Sequence, residues 1–256
     1  MKSEPSWNPH YFLSSPAFAP LRSASEFFYS FENWPQLHDY ACLFQYHHLS
    51  LIPVPQDDAA KGFEQRYESR IYLQQEIQIK LNGWHDFFNA LCWVVFPRSK
   101  QALNQLHYHA SLQRPAGTNR STRENTLALF DESGMIIISD RAELLAMIRR
   151  HQWQELFVHN RDAFRRHCRC LVYGHAMYEK LLRPYVGMTA KALLIESPEL
   201  LLDDVTAIDP HVADTLLAGN ISEPSQLAPM PVLGIPGWYG ENEQPAFYAN
   251  QSYFRP

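Results

Sequence analysis

Two pairs of polar residues interrupt runs that are otherwise apolar. His85 and Asn89 stand four apart in Trp84–Phe96 (WHDFFNALCWVVF), and His175 and Glu179 stand four apart in Leu171–Leu182 (LVYGHAMYEKLL). Read as helices, these spacings put each pair on one face, one turn apart. A buried polar group left without a partner costs roughly 1–3 kcal/mol, so the two pairs are expected to face each other across a common pocket. Asp86 lies about 100° round the helix from His85 and reaches a different neighbour. Such a set suits one of two chemistries. It can hold a divalent metal, with His85, His175 and Glu179 as candidate ligands, or it can pair a general base with an orienting carboxylate. The bland alternative is two mutually bonded pairs that lock two helices together.

Other residues extend or compete with this constellation. Lys100 and Arg123 offer charge to an anionic ligand. Asp131, in Asp131-Glu132-Ser133-Gly134, is explained by turn chemistry; the functional alternative has Asp131 or His85 doing proton work while Arg123 and Lys100 hold an anion. The dipeptide His85-Asp86 also occurs in metal-dependent phosphohydrolases, but His47 and His48 upstream and the bulky Phe87-Phe88 after it fit that pattern poorly. His167-Cys168-Arg169-Cys170 is not a zinc-finger spacing, and no second pair accompanies it. Six arginines between Arg149 and Arg169 form the one basic concentration. They read as a solvated face or as an anion- or partner-binding patch. The glycine-rich signatures of nucleotide loops and the GxSxG of serine hydrolases are absent from the sequence.

The elements that must carry these residues follow from periodicity and punctuation. A short helix is expected over Ser25–Phe31, a loop over Pro53–Gly62 and a mixed-polarity helix over 63–80. Trp84–Phe96, apolar nearly all round, should be a buried central helix that Pro97 ends. A second helix then runs to about Gln113, and 115–122 is a polar loop. Asn125–Asp131 and Met135–Ser139 read as a hairpin turning at Glu132-Ser133-Gly134. Helices are expected over 141–150, 153–167, 171–182 and 198–218, with a strand at Ala190–Ile195. From Glu223 onward prolines argue against regular structure, while the aromatics argue for a strap bound to the body.

Composition bounds the class. Of 256 residues 46% are apolar and 19% charged, enough for a sizeable core. Ten Gly against 18 Pro imply stiff loops. A net charge of −5 disfavours nucleic acid and anionic lipid as partners. The prolines and Glu4 near the start do not fit a secretory signal, and no apolar run approaches the roughly 20 residues of a membrane span. Four cysteines without an export signal read as free thiols in a cytoplasmic protein.

Four ordered blocks, WHDFFNALCWVVFPRSKQALN, RENTLALFDESG, YGHAMYEKLLRPY and PVLGIPGW…FYANQSYFRP, resemble the bacterial domain-of-unknown-function family 3025 from about residue 60 onward. The resemblance implies a soluble bacterial protein and transfers no catalytic residue. The residues themselves support an α+β, predominantly helical fold, with buried central helices around a small antiparallel sheet. Proline- and aromatic-rich extended arms, 1–60 and 223–256, flank a core over 61–222. The best functional expectation is a soluble acid/base hydrolase acting through His85, Asp86, Asn89, His175 and Glu179. Lys100 and Arg123 would meet a small anionic substrate, and a divalent metal is the candidate cofactor. Its rival is a non-catalytic binding protein that uses Arg149–Arg169 or the aromatic arms. Composition does not set the oligomeric state.

Overall fold

Ile136, Ile137 and Ile138 are buried on both sides of one strand, and the molecule is layered about that strand. In the computed structural model, which describes residues 6–57, 62–115, 117–201, 204–219 and 221–255, the elements run in a simple order. They are α1 (Arg22–Ser25), α2 (Leu37–Tyr46), β1 (Ile52–Pro55), α3 (Tyr67–Gln74), β2 (Glu76–Ile79), α4 (Trp84–Val95), α5 (Pro97–Leu112) and α6 (Thr122–Ser133). Then come β3 (Gly134–Ser139), α7 (Ala142–Arg149), a π-helical turn at Glu155–His159, α8 (Arg161–His167), β4 (Cys168–Val172), α9 (His175–Leu181), β5 (Thr189–Glu196), α10 (Val205–Leu217) and β6 (Ala228–Pro231). The fold is α+β and predominantly helical. No helix among the described residues is long and apolar enough to cross a membrane.

The main sheet has the order β4-β3-β5-β6. It is mixed rather than antiparallel, because β3 pairs antiparallel with β4 but parallel with β5. The parallel pairing is possible because the long connection between them carries helices over the sheet. Met135 and Ile137 face a core shared with α4 and the N-terminal aromatics, whereas Ile136 and Ile138 face one shared with α5, α6 and α10. A strand covered on both faces has no polar side to alternate with, hence the unbroken MIII run. A second sheet pairs β1 with β2 in parallel.

Several expectations are corrected. Residues 125–131 are helix, not the first strand of a hairpin. Ser121 caps α6 by accepting from Glu124 N (3.2 Å), and Glu124 accepts back from Ser121 N (2.8 Å). This reciprocal capping box nucleates a helix where the Leu-Ala-Leu-Phe alternation suggested a strand. Residues 168–172 are strand and the helix starts only at His175, since Gly174 interrupts the apolar run. The segment 63–80 splits at Gln75, which takes a left-handed conformation between α3 and β2. Pro53 and Pro55 lie in β1 rather than in a loop, and 58–61 of that expected loop lie outside the described residues. Position 116 of the polar loop and 202–203 of the expected last helix also lie outside them. Asp204 caps α10, which continues through Pro210.

The terminal segments are mostly helical turns, with one short strand in each, rather than extended arms. Residues 11–28 form successive single helical turns, and their rings pack on α4: Trp7 stacks on Trp84 at 5.4 Å, and Tyr11 meets Phe88 edge-on at 5.0 Å. The proline-rich C-terminal segment supplies β6, where Pro229 and Pro231 sit on an edge strand that tolerates missing N–H groups. Beyond it, Tyr253 Oη donates to Met188 O (2.8 Å) and Trp153 Nε1 donates to Arg255 O (2.8 Å). Of the basic segment, Arg161 and Arg165 both reach Glu243, at 2.7 and 3.5 Å, so two of its charges hold this segment in place.

Candidate active site

Helix α4 divides its residues between two neighbours. Trp84, Phe87, Phe88 and Leu91 are buried among the N-terminal rings, while His85, Asp86 and Asn89 line a cleft of about 440 Å³. Opposite lies α6, whose Glu124, Ala128, Asp131 and Glu132 line the same cleft. Their spacing of four, three and one residues is a single helical stripe. Tyr67, at the start of α3, and His175, at the start of α9, close the floor.

His175 reaches this place because two glycines let backbones touch. Tyr173 N and Gly174 N both donate to Gly134 O, at 3.0 and 2.9 Å, clamping the start of α9 to the end of α6. A Cβ on residue 174 would lie 2.5 Å from the Glu132 carbonyl oxygen, so only glycine fits.

The clamp sets a compact polar centre. His85 Nε2 and His175 Nε2 face each other at 3.1 Å, and Glu132 Oε2 lies 3.5 Å from His175 Nε2. Behind the first ring, His85 Nδ1 meets Glu179 Oε2 at 3.1 Å. Behind the second, His175 Nδ1 is buried without a well-formed hydrogen bond and faces Asp131 Oδ2 at 3.6 Å. Asp131 in turn accepts from Lys100 Nζ (2.5 Å), which also donates to Asn89 Oδ1 (3.1 Å). Asn89 Nδ2 donates to Tyr67 Oη (2.5 Å). Asp86 Oδ2 accepts from Lys80 N (2.7 Å).

Burial and pairing set the charges. Burial pushes His175 down to about 3, so its contacts with Asp131 and Glu132 are those of a neutral ring and not ion pairs. The hydrogen bond to Glu179 outweighs burial at His85 and holds that imidazole above its ordinary value. Asp131 feels burial most strongly, yet the Lys100 ammonium beside it keeps its carboxyl below the ordinary range. Burial raises the carboxyls of Glu132 and Asp86.

This donor set fits a divalent cation. One ligand atom each from His85, Glu132 and His175 lies within 4.8 Å of the others. Two ligands about 2.0–2.1 Å from a tetrahedral ion stand about 3.3 Å apart, and the contacts of 3.1 and 3.5 Å bracket that spacing. A carboxylate faces the far nitrogen of each ring, the usual support of a metal-bound imidazole.

Of the residues expected from sequence, His85, His175 and Glu179 are brought together, although Glu179 stands behind His85 rather than among the donor atoms. Asp86 and Asn89 line the cleft beside them. Lys100 is only 3% exposed, is bonded to Asp131 and Asn89, and is not among the residues that line the cleft. Arg123 is exposed on α6, outside the residues that line the cleft; Arg66, Arg114 and Arg120 line it instead. Sequence reasoning missed Tyr67 and Glu132 as site residues and favoured a turn role for Asp131. The capping box before α6 was a signal for the last two, whereas nothing local marks Tyr67.

The model of the family described as "Protein of unknown function (DUF3025)" matches residues 51–256. The chain belongs to this family. Every residue named in the cleft lies within the DUF3025 match. No curated protein and no solved structure matches the chain. For this DUF3025 protein, then, chemistry is argued from the site.

Proposed function

We propose that the protein is a metal-dependent hydrolase of small anionic substrates, with His85, His175 and Glu132 as the metal ligands. The observation that carries this reading is the convergence of two imidazole Nε2 atoms and one carboxylate at a cleft wall, each ring backed by a carboxylate at its other nitrogen. A divalent ion held there would supply Lewis acidity and a water of lowered pKa. Glu179 fixes the His85 tautomer with Nδ1–H outward, leaving Nε2 free as a donor atom. His175, neutral because it is buried, needs no deprotonation to do the same.

Asp86 borders the cleft with its carboxyl raised by burial, which suits a group that takes and returns protons. In the reaction water's oxygen bonds to the electrophilic carbon or phosphorus while its proton passes to Asp86. The bond to the leaving group then breaks, and the same proton moves to that leaving group. Arg114, which lines the cleft with Arg66 and Arg120, lies towards the other end of the α6 wall. Arg114 Nη1 is 3.4 Å from Glu124 Oε1, and Glu124 is eight residues, or about 12 Å, from Glu132. Arg114 would hold an anionic group of the substrate at that distance from the bond to be cut.

Metal analysis of the purified protein, with zinc titration and hydrolysis of p-nitrophenyl phosphate and p-nitrophenyl acetate, tests the proposal. One metal site per chain is expected, lost in His175→Ala and Glu132→Ala, with turnover abolished by a chelator and restored by zinc. Asp86→Asn should keep the metal and lose most of kcat. A wild-type protein that takes up no divalent metal and whose melting temperature ignores zinc would overturn it.

A further inference from the structure

The chain of hydrogen bonds from Lys100 to Tyr67 runs in one direction only. An ammonium group has donors and no acceptor, so the atom of Asn89 that faces Lys100 Nζ must be the amide oxygen. That leaves the Asn89 NH2 group facing Tyr67 Oη, and it can only donate. The Tyr67 oxygen is therefore an acceptor in this bond, and its own O–H proton must go elsewhere. Among the described residues the structure gives that proton no acceptor. Tyr67 borders the cleft together with His85, Asp86 and Glu132, and Asn89, its partner, stands one helical turn from His85. Burial keeps the phenol protonated.

We propose that Tyr67 is a catalytic hydrogen-bond donor of this cleft, its O–H directed by Lys100 and Asn89 at the oxyanion that forms when water adds to the substrate. This rests on the hydrolase reading and adds to it the group that stabilises the developing charge. A fixed donor in a partly dry site acts mainly on the transition state, because its dipole is already oriented when the charge appears. Lys100 and Asn89 touch no substrate and are positioning residues. Their buried positions and the ion pair of Lys100 with Asp131 keep the donor from reorienting.

Two single-residue variants of the zinc-loaded protein test this, with p-nitrophenyl ester turnover and calorimetric binding of inorganic phosphate, a tetrahedral oxyanion, as the readouts. Tyr67→Phe removes one oxygen atom. It should lower kcat by about 10²-fold with KM nearly unchanged, and weaken phosphate about 10-fold, with zinc content as in wild type. Asn89→Asp is the sharper variant. Its carboxylate accepts from Lys100 and from Tyr67 alike, so it captures the phenolic proton while leaving the tyrosine in place. It should reproduce the Tyr67→Phe loss in kcat, which a merely structural tyrosine would not show. Wild-type affinity for phosphate in Tyr67→Phe, or wild-type kcat in a folded Asn89→Asp, overturns the donor role even where zinc binds and esters are cleaved. A wild-type protein that binds no zinc fails earlier and takes the hydrolase reading with it.

Discussion

Neighbouring residues at the start of α5 serve two buried carboxylates in opposite ways. Ser99 belongs to Asp209 of α10, which accepts from Arg98 N (2.8 Å), Ser99 N (2.9 Å) and Ser99 Oγ (2.5 Å). The first two are first-turn N–H groups of α5, which no helical carbonyl can satisfy, so Asp209 caps the helix from a distance. Lys100 belongs to Asp131, which it meets at 2.5 Å under the cleft. The first network is closed about its carboxylate, where each of the three donors meets Asp209, although Tyr173 Oη beside it is buried without a well-formed hydrogen bond. The second ends in loose ends, with His175 Nδ1 lacking a well-formed bond and the Tyr67 proton unplaced. Burial raises the carboxyl of Asp209, whereas Lys100 overcomes burial and lowers that of Asp131. A closed network joins helices. An open one beside a cleft keeps bonding capacity for something that enters.

Substitutions on either side sharpen that contrast. The largest loss should come from Lys100→Met, which strands Asp131 as a buried charge without its cation and should cost about 3–5 kcal/mol in urea denaturation. Next, Asp209→Ala leaves the N–H groups of Arg98 and Ser99 unpaired and should cost about 1–3 kcal/mol, with zinc content and ester turnover unchanged. A loss of zinc in that variant would break the distinction between the networks. The smallest effect is the one Asp131→Asn has on zinc, through weaker support of His175; its stability loss, with the buried Lys100 ammonium left without a counter-charge, should match that of Lys100→Met. Zinc affinity in a competition titration should fall roughly tenfold, the low end for a residue that backs a metal-bound imidazole, because the contact is long at 3.6 Å.

Much of this arrangement was legible in the residues and part was hidden for definite reasons. The i, i+4 spacing of His85 and Asn89 placed them on one face of α4, and they share the cleft. For His175 and Glu179 the spacing was right, but the helix starts at His175, because Gly174 ends a strand rather than lying inside a helix. Asp131 and Glu132 were assigned to a turn through the misreading of α6. The apolar run Leu127–Phe130 read as a strand, the Ser121/Glu124 capping box ahead of it went unread, and the cost was one of the three donor residues. Tyr67 was hidden for another reason. It meets Asn89 through the packing of α3 against α5 and α4, and no local pattern encodes a partner 22 residues away.

Gly134 and Gly174 have a wider consequence. Where α6 meets α9, main chain rests on main chain with no side chain between, so the gap there is a hard stop set by atomic radii. Side-chain packing can be loosened by warming or by trimming a core residue, but such a stop has nothing to give. The spacing of the main chain that carries His175 and Glu132 is thus set at that stop, whereas the approach of His85 follows α4 and its rings, on which Tyr178 of α9 also stacks.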